Sequence, residues 1–415
     1  EYNGKIRYRI LTEFAYRLKS LGTETAFAVS LDATEFAAQG NKVYPFHLGD
    51  LDLPTPPNIM EAAVKAMRDG KTGYNPAAGI PQLRDTLAEV VSAERGISYG
   101  RNNVVIQPGG KPVISKFIQA LMNPGDGVLY PNPGYPIYES QINYHGGQAL
   151  PYGYIPTAEG FKIDRGQVED RIDSQTRLFI YNNYQNPIGA ESDSGEMEWV
   201  AELAQKNKLW VLSDEAYFKI QYSGKPESIA SLPGMQERTV ILYTFSKTYA
   251  MTGWRLGAAI GPADLMKVFA KLNVNDESCT NHFIQYGGIE ALTGDQSGAE
   301  DLITKLKLRR DALALHLNEM DCINCYIPDS TFYLFPDVTE LYHAMEASSY
   351  EDFRSRVLRE TGVSFCTREH FGTPIENEGR KYIRFAYSGI PVDEIEAGMA
   401  RLKDYWDSFT SVETV

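Results

Sequence analysis

In the stretch "TFSKTYAMTGWRLG", Lys247 sits between the hydroxyl residues Ser246 and Thr248, and Arg255 follows eight positions later. Taken alone, Lys247 can be a solvated surface charge, a phosphate clamp or a nucleophilic amine. Other polar residues stand at the ends of apolar runs in the same manner. Gly109, Gly110 and Lys111 follow "NVVIQP", Asn132 to Tyr135 follow "GVLYP", and Asn186 lies in "YQNPIG". Asp214 and Tyr217 lie in "SDEAY", and Thr244 opens the lysine stretch itself. The set contains anion-binding glycines and hydroxyls, an aromatic ring, an acid and a lysine. It suits a planar, phosphorylated heteroaromatic cofactor that reacts with an amine.

Each residue also has an ordinary reading. A strand-end aspartate is commonly a turn or cap former, and Tyr135 and Tyr217 are two of 26 tyrosines that could simply pack a core. Those readings explain the residues one at a time and leave their joint occurrence unexplained. Nucleotide-binding loops fail on spacing. "GKT" at 70–72 has Lys65 where a Walker A glycine belongs, and "GGK" at 109–111 is followed by Pro112. Cys322 and Cys325 form a C-x-x-C with neither a second pair nor a nearby histidine at zinc spacing, so ordinary buried thiols are expected and no metal.

The elements that must position these residues are legible in outline. "NVVIQPGG", "GVLYPNPGY", "TRLFIYNNYQNP", "KLWVLSDEAY" and "TVILYTFSK" read as strands, with helical patterns such as "KPVISKFIQALM" and "GEMEWVAELAQKN" between them. Runs apolar on both faces, alternating with helices, indicate an α/β fold with a mostly parallel sheet covered by helices. In such sheets ligands bind beyond the carboxyl ends of the strands, where the polar residues fall. After about residue 298 the pattern changes to a long helix, "AEDLITKLKLRRDALALHLNEM", strand-like segments including "CINCYIPDSTFYLFP", and a last helix, "PVDEIEAGMARLKDYW". The expected division is a large domain over 48–297 and a smaller α+β domain from 1–47 and 298–415.

Composition narrows the partners. The chain has 415 residues, 43% hydrophobic and 23% charged, with a formal net charge of −14, which gives a nucleic-acid partner no electrostatic support. No apolar run approaches a membrane-spanning length, and four cysteines do not make a disulfide framework. A cytoplasmic location is expected.

With these residues assembled, the sequence resembles the fold-type I pyridoxal phosphate enzymes, specifically the class I/II aminotransferases, over about residues 25 to 405. "SKTYAMTGWRLG" is similar to the family's cofactor-lysine segment, and "YNPAAGIPQLR", "NPGYPIY", "YQNPIG" and "SDEAY" match in the family's order. The resemblance implies that Lys247 holds the cofactor covalently and, once displaced by the substrate amine, moves the proton at the substrate α-carbon. Asp214 would keep the pyridine nitrogen protonated, Tyr217 and Asn186 would hydrogen-bond the ring's phenolic oxygen, and Tyr135 would stack on the ring. Gly109, Gly110, Lys111, Thr244, Ser246 and Arg255 would hold the phosphate. Tyr74 resembles a tyrosine that reaches the phosphate from a neighbouring subunit, which implies a homodimer with shared active sites. Arg384 in "YIRFAYSG" matches the arginine that grips the substrate α-carboxylate, and Gly49 matches a glycine near the same group.

The likeness is strongest to prokaryotic aspartate aminotransferases, in which the lysine matching Lys111 can contact a side-chain carboxylate. The expected reaction is ping-pong transfer of an amino group between an aspartate- or glutamate-like L-amino acid and a 2-oxo acid. Three departures stand out: Ile188 replaces the usual threonine, a local packing change; "SFCTREHFG" lacks a customary Pro-Gly, so the small-domain loop near the substrate is expected to differ; and Asp276 and Glu277 stand where relatives are uncharged, in a segment that in the family's dimers approaches the partner's active site. Asp276, Glu277 and Glu369 could instead favour an amino acid with a distal cation. A pyridoxal phosphate lyase or oxidase would share every cofactor residue. A cofactor-binding regulator is disfavoured, since a helix-turn-helix domain has no room before residue 25.

Overall fold

A computed structural model describes residues 14–22, 25–375 and 378–410. Residues 1–13, 23–24, 376–377 and 411–415, parts of the segments expected in the smaller domain, lie outside the described residues.

The apolar runs that end in polar residues form strands. They are β1 (Val104–Gln107), β2 (Gly127–Pro131), β3 (Gln148–Tyr152), β4 (Thr176–Tyr181), β5 (Trp210–Asp214), β6 (Thr239–Thr244) and β7 (Gly257–Ile260). They make one seven-stranded sheet in the order β1-β7-β6-β5-β4-β2-β3. β7 is antiparallel to β1 and β6, and the remaining pairings are parallel. Two of these strands carry weak sequence signals. β7 is "GAAI", too small in side chain to read as β-forming. β3 contains Pro151, which cannot donate to a ladder and is tolerated because β3 is an edge strand.

Helices α1 (Ala26–Ala38), α2 (Lys111–Leu121), α3 (Ser194–Lys206), α4 (Ser297–Asn318) and α5 (Val392–Thr410) include those read from periodicity. α2 starts directly after β1, with Gly110 as its N-cap residue and Pro112 in its first turn, where a missing N–H is harmless. α3 is capped by the Asp193 carboxylate, which accepts from the Glu196 amide at 2.8 Å and contributes on the order of 1 kcal/mol.

The two faces of the sheet bury different partners. Leu178 and Ile180 of β4 pack with Val113, Ile114 and Phe117 of α2, whereas Phe179 and Tyr181 pack with Met197 and Val200 of α3. Alternation along one strand thus feeds two cores, and the strand reads as continuously apolar. A further core surrounds a small antiparallel sheet of β8 (Tyr333–Leu334), β9 (Cys366–Thr367) and β10 (Ile383–Ala386), ordered β8-β10-β9. Leu306 and Leu313 of α4, Met399 and Trp406 of α5, and Tyr44 and Phe46 share it. Tyr44–Pro45 pairs in parallel with Val363–Ser364, so chain from before β1 is stitched to the C-terminal elements. The strand-like reading of "CINCYIPDSTFYLFP" holds only at β8. The rest is irregular apart from isolated bridges at Asn324 and Ser330, because Pro328 and Pro336 interrupt any ladder.

Candidate active site

The carboxyl ends of β1, β2, β4, β5 and β6 open on a cavity of about 240 Å³, closed on its far side by residues next to β8 and β10. Gly49, Gly110, Lys111, Tyr135, Asn186, Asp214, Tyr217, Thr244, Ser246, Lys247, Arg255 and Arg384 all line it. Two of the residues matched to the cofactor or the α-carboxylate do not, Gly109 and Tyr74. Gly109 lies just behind the wall. Tyr74, in the loop before the helix Pro81–Arg95, is 89% exposed and takes no part in this chain's cavity wall.

Lys247 follows β6, and its Nζ donates to the Gly49 carbonyl at 2.9 Å across the cavity mouth. Asp214 ends β5 in the adjacent strand and is 5% exposed. The Tyr138 hydroxyl donates to its Oδ2 at 2.5 Å, and the Ala216 amide donates to its Oδ1 at 3.2 Å. Asn182 holds the Asp214 backbone carbonyl at 2.9 Å. Burial raises the Asp214 carboxyl to about 6, and the Tyr138 and Ala216 hydrogen bonds only partly oppose that rise.

At one end of the cavity the donors suit a dianion. The first amides of α2 have no acceptor within the helix, and the helix dipole favours negative charge there. Thr244 Oγ1 lies 2.9 Å from Ser246 Oγ. Arg255 has φ 54°, held by bonds from its guanidinium to Thr252 O at 2.7 Å and Pro108 O at 3.4 Å. A Cβ on Gly109 (φ +98°) would lie 2.1 Å from Arg255 Nη2, so only glycine lets the guanidinium reach this position.

At the other end Arg384 on β10 is 4% exposed and lies between two rings, 4.4 Å from the Tyr333 centroid and 4.6 Å from that of Phe371. Its Nη1 donates to Asn186 Oδ1 at 2.9 Å and its Nη2 to the His47 carbonyl at 2.8 Å. Its Nε is buried and has no protein partner among the described residues. A guanidinium so held keeps a further N–H on each of Nη1 and Nη2, the fork that suits a bidentate carboxylate. Tyr217 and Tyr333 share a hydrogen bond of 2.6 Å between their hydroxyls, and burial holds the Tyr217 phenol well above its ordinary value. Added bulk at Gly49 would strike the Tyr333 hydroxyl at 2.4 Å.

Several wall residues escape a reading of the sequence: Tyr138, Asn182, Tyr333, His370 and Phe371. Tyr138 carries a signal, since it lies three residues after Tyr135, one helical turn on. Tyr333, His370 and Phe371 reach the cavity only through the packing of the small sheet, which no local pattern encodes. None of the acids offered for a distal cation, Asp276, Glu277 and Glu369, lines this chain's cavity. Glu277 pairs with Lys116, a lysine 1% exposed that also donates to Gln107 at 2.9 Å and Asn273 at 2.8 Å. Asp276 and Glu369 are absent from the cavity wall. Burial pushes the Cys325 thiol up to about 12, against redox reactivity, and no metal-holding cluster occurs among the described residues.

An amine, a buried acid and opposed anion sites fit pyridoxal phosphate bearing an amino acid. The donors at Gly110 and Arg255 suit its phosphate, Asp214 its ring nitrogen, and the Arg384 guanidinium a substrate carboxylate. Comparison with known proteins agrees. The family profile for aminotransferase class I and II matches residues 41–402. An aspartate aminotransferase of Bacillus sp. (strain YM-2) is 32% identical over 362 residues, 87% of this chain and 92% of that protein. The solved structure of alanine aminotransferase from Pyrococcus furiosus superposes with a TM-score of 0.87 at 27% identity, covering 95% of this chain and 100% of that one. Thermus thermophilus aspartate aminotransferase with maleate gives 0.86 at 27% identity, with coverage of 95% and 100%. The chain belongs to the class I and II aminotransferases, enzymes of the fold-type I architecture that transfer amino groups with pyridoxal phosphate.

Proposed function

We propose that this enzyme moves an amino group between a dicarboxylic L-amino acid and a 2-oxo acid in two half-reactions. The observation that carries the substrate class is the charge of the cavity wall: Lys111, Lys247, Arg255 and Arg384 face a single carboxylate, Asp214. One cation is matched to the cofactor phosphate, one to the α-carboxylate and one to covalent attachment. The side chain of Lys111 is then matched to a second carboxylate, with its Nζ 5.8 Å from the Tyr135 ring centroid.

Pyridoxal phosphate, when bound, supplies the electron sink that makes the bonds at the substrate α-carbon labile. Lys247 Nζ, at the mouth between Gly49 and the strand end, is the group that moves the α-proton. Asp214 holds a proton on the ring nitrogen, and its burial strengthens that pairing. Asn186 and Tyr217 hydrogen-bond the ring oxygen, and Tyr135 covers the ring face. The backbone amides of Gly110 and Lys111, with Gly109, Thr244, Ser246 and Arg255, would hold the phosphate. Arg384, stacked and dry, orients the α-carboxylate with Gly49 beside it.

Our reading includes a homodimer in which Tyr74 completes the neighbouring subunit's phosphate site. Its support is an exposed apolar surface at Tyr74, Met67 (46%) and Met60 (38%). It also includes a large domain over 48–297, a smaller one from 1–47 and 298–415, and a cytoplasmic location, for which four free cysteines speak. No helix among the described residues is long and apolar enough to cross a membrane. The test uses the purified holoenzyme, mixed with single amino acids while its visible absorption band is followed. Aspartate or glutamate should bleach the band and a 2-oxo acid should restore it. Bleaching by no amino acid, or release of ammonia in place of a new amino acid, overturns the reading.

A further inference from the structure

One wall of the cavity combines a ring packed on Arg384, Phe371, with a side chain given no part in holding the cofactor or the α-carboxylate, His370. The helical turn Arg368–Phe371 follows β9 and brings His370 to the cavity beside Phe371. Three bonds strap this turn and the residues after it to the end of β2: Arg368 Nη2 to Asn132 Oδ1 at 2.7 Å, Gly134 N to Phe371 O at 2.9 Å, and Asn132 Nδ2 to Thr373 O at 2.6 Å. Arg368 is 1% exposed and also paired with Glu378, so the strap is well anchored. His370 therefore sits on a fixed support rather than a loose loop.

Its ring is oriented as well as placed. Nδ1 lies 3.0 Å from the Thr367 backbone nitrogen, 2.9 Å from Thr367 Oγ1 and 3.2 Å from the Thr367 carbonyl oxygen. The amide N–H can only donate and is the nearer of the two backbone groups, which favours an accepting Nδ1 over one that donates to the carbonyl and puts the ring proton on Nε2. Nε2 has no hydrogen-bond partner among the described residues. Burial, with Arg354 and Arg384 near, lowers the imidazole to about 4, so the ring presents a neutral N–H at working pH.

We propose that His370 is a specificity-determining residue whose Nε2–H donates to a carbonyl oxygen at the end of the substrate's side chain. The inference rests on the aminotransferase reading and deepens it. A neutral donor accepts a carboxylate oxygen and a carboxamide oxygen alike, unlike a second bidentate arginine, which demands the charge. The substrate class is accordingly the amino acids whose side chains end in a carboxylate or its amide, with modest discrimination between them.

The test compares wild-type holoenzyme with His370→Phe, which keeps a ring and removes the donor, and His370→Gln, which restores a donor. Bleaching of the visible band is measured against concentration for aspartate, asparagine and alanine, and succinate and propionate binding are measured by calorimetry. In His370→Phe the kcat/KM ratios of aspartate and of asparagine to alanine should fall about tenfold, mainly through KM. Succinate affinity should fall by a similar factor relative to propionate, and His370→Gln should recover most of both. Equal losses for all three amino acids, or no change in any, overturn the proposal, as does failure of the glutamine variant to recover. A wild type that bleaches with alanine but with neither aspartate nor asparagine overturns this inference, and with it the aspartate-like substrate, while the aminotransferase reading stands. A wild type that bleaches with no amino acid overturns the function beneath it.

Discussion

Two acids stand side by side at the end of β5 and live in opposite surroundings. Asp214 and Glu215 are each 5% exposed. Glu215 faces away from the cavity and meets the Arg95 guanidinium at 2.6 Å, the Ser213 hydroxyl at 2.9 Å and the Ser228 hydroxyl. Arg95 lies 3.7 Å from the Phe218 ring centroid, so the pair is packed as well as charged. Asp214 turns into the cavity and meets a phenol and a backbone amide, neither bearing charge. Its carboxyl rises to about 6. The difference separates a structural acid, whose countercharge the protein builds in, from one whose countercharge arrives with a ligand. Adjacent residues on a strand point to opposite faces, and that alternation assigns the two roles.

The largest break in this contrast is Asp214→Asn. It should lower kcat for amino transfer by about 10²- to 10⁴-fold, as for loss of a positioned acid–base partner. Steady-state kinetics at saturating cofactor measure it, and a loss under about tenfold would contradict the role given to Asp214. Breaking the other acid has the reverse signature. Arg95→Met strands a buried carboxylate and should destabilise the fold by about 3–5 kcal/mol in chemical denaturation. The folded fraction should keep its kcat within a few-fold.

The pH response sharpens the contrast. In the cofactor-free protein the folded state holds the Asp214 proton more tightly than the unfolded chain does. This group's contribution is therefore most favourable below pH 3.8 and declines as pH rises through about 6. The rise from 3.8 to about 6 corresponds to roughly 3 kcal/mol, so cofactor-free Asp214→Asn should exceed wild type by up to that amount at about pH 8. The difference should vanish near about pH 4. A gap of equal size at both pH values would mean that the asparagine acts through packing. The smallest expected effect belongs to Tyr138→Phe. Loss of one hydroxyl donor should raise the Asp214 carboxyl further and cost the cofactor-free fold about 1–2 kcal/mol at about pH 8, and less at about pH 4.

How far the site is legible from sequence differs along its wall. Gly110, Asn186, Asp214, Ser246 and Lys247 stand at or just past strand and helix boundaries, and parallel topology gathers such boundaries on one edge. Their proximity follows from local patterns plus one rule of fold. The insertion of β7 between β1 and β6 is invisible in the sequence, because four small residues carry no strand signal, yet it does not move the edge. Glu277 reads in the sequence as a bare charge, because a sequence lists charges and not their partners. Lys116, buried among apolar residues of α2, needs a countercharge, and Glu277 supplies it.

By itself the sequence determined the alternation of strand and helix, the edge where chemistry collects, and the order of motifs that marks the family. These depend on residues close in the chain, whose periodicity and turn chemistry act locally. Only the tertiary structure decided that Asp214 is buried without a charged partner while Glu215 has one. It alone decided that Arg384 lies against the rings of Tyr333 and Phe371, and that His370 comes to the cavity wall. Burial and the partners of a charge come from residues far apart in the chain, and the dielectric they create is a property of the packed whole.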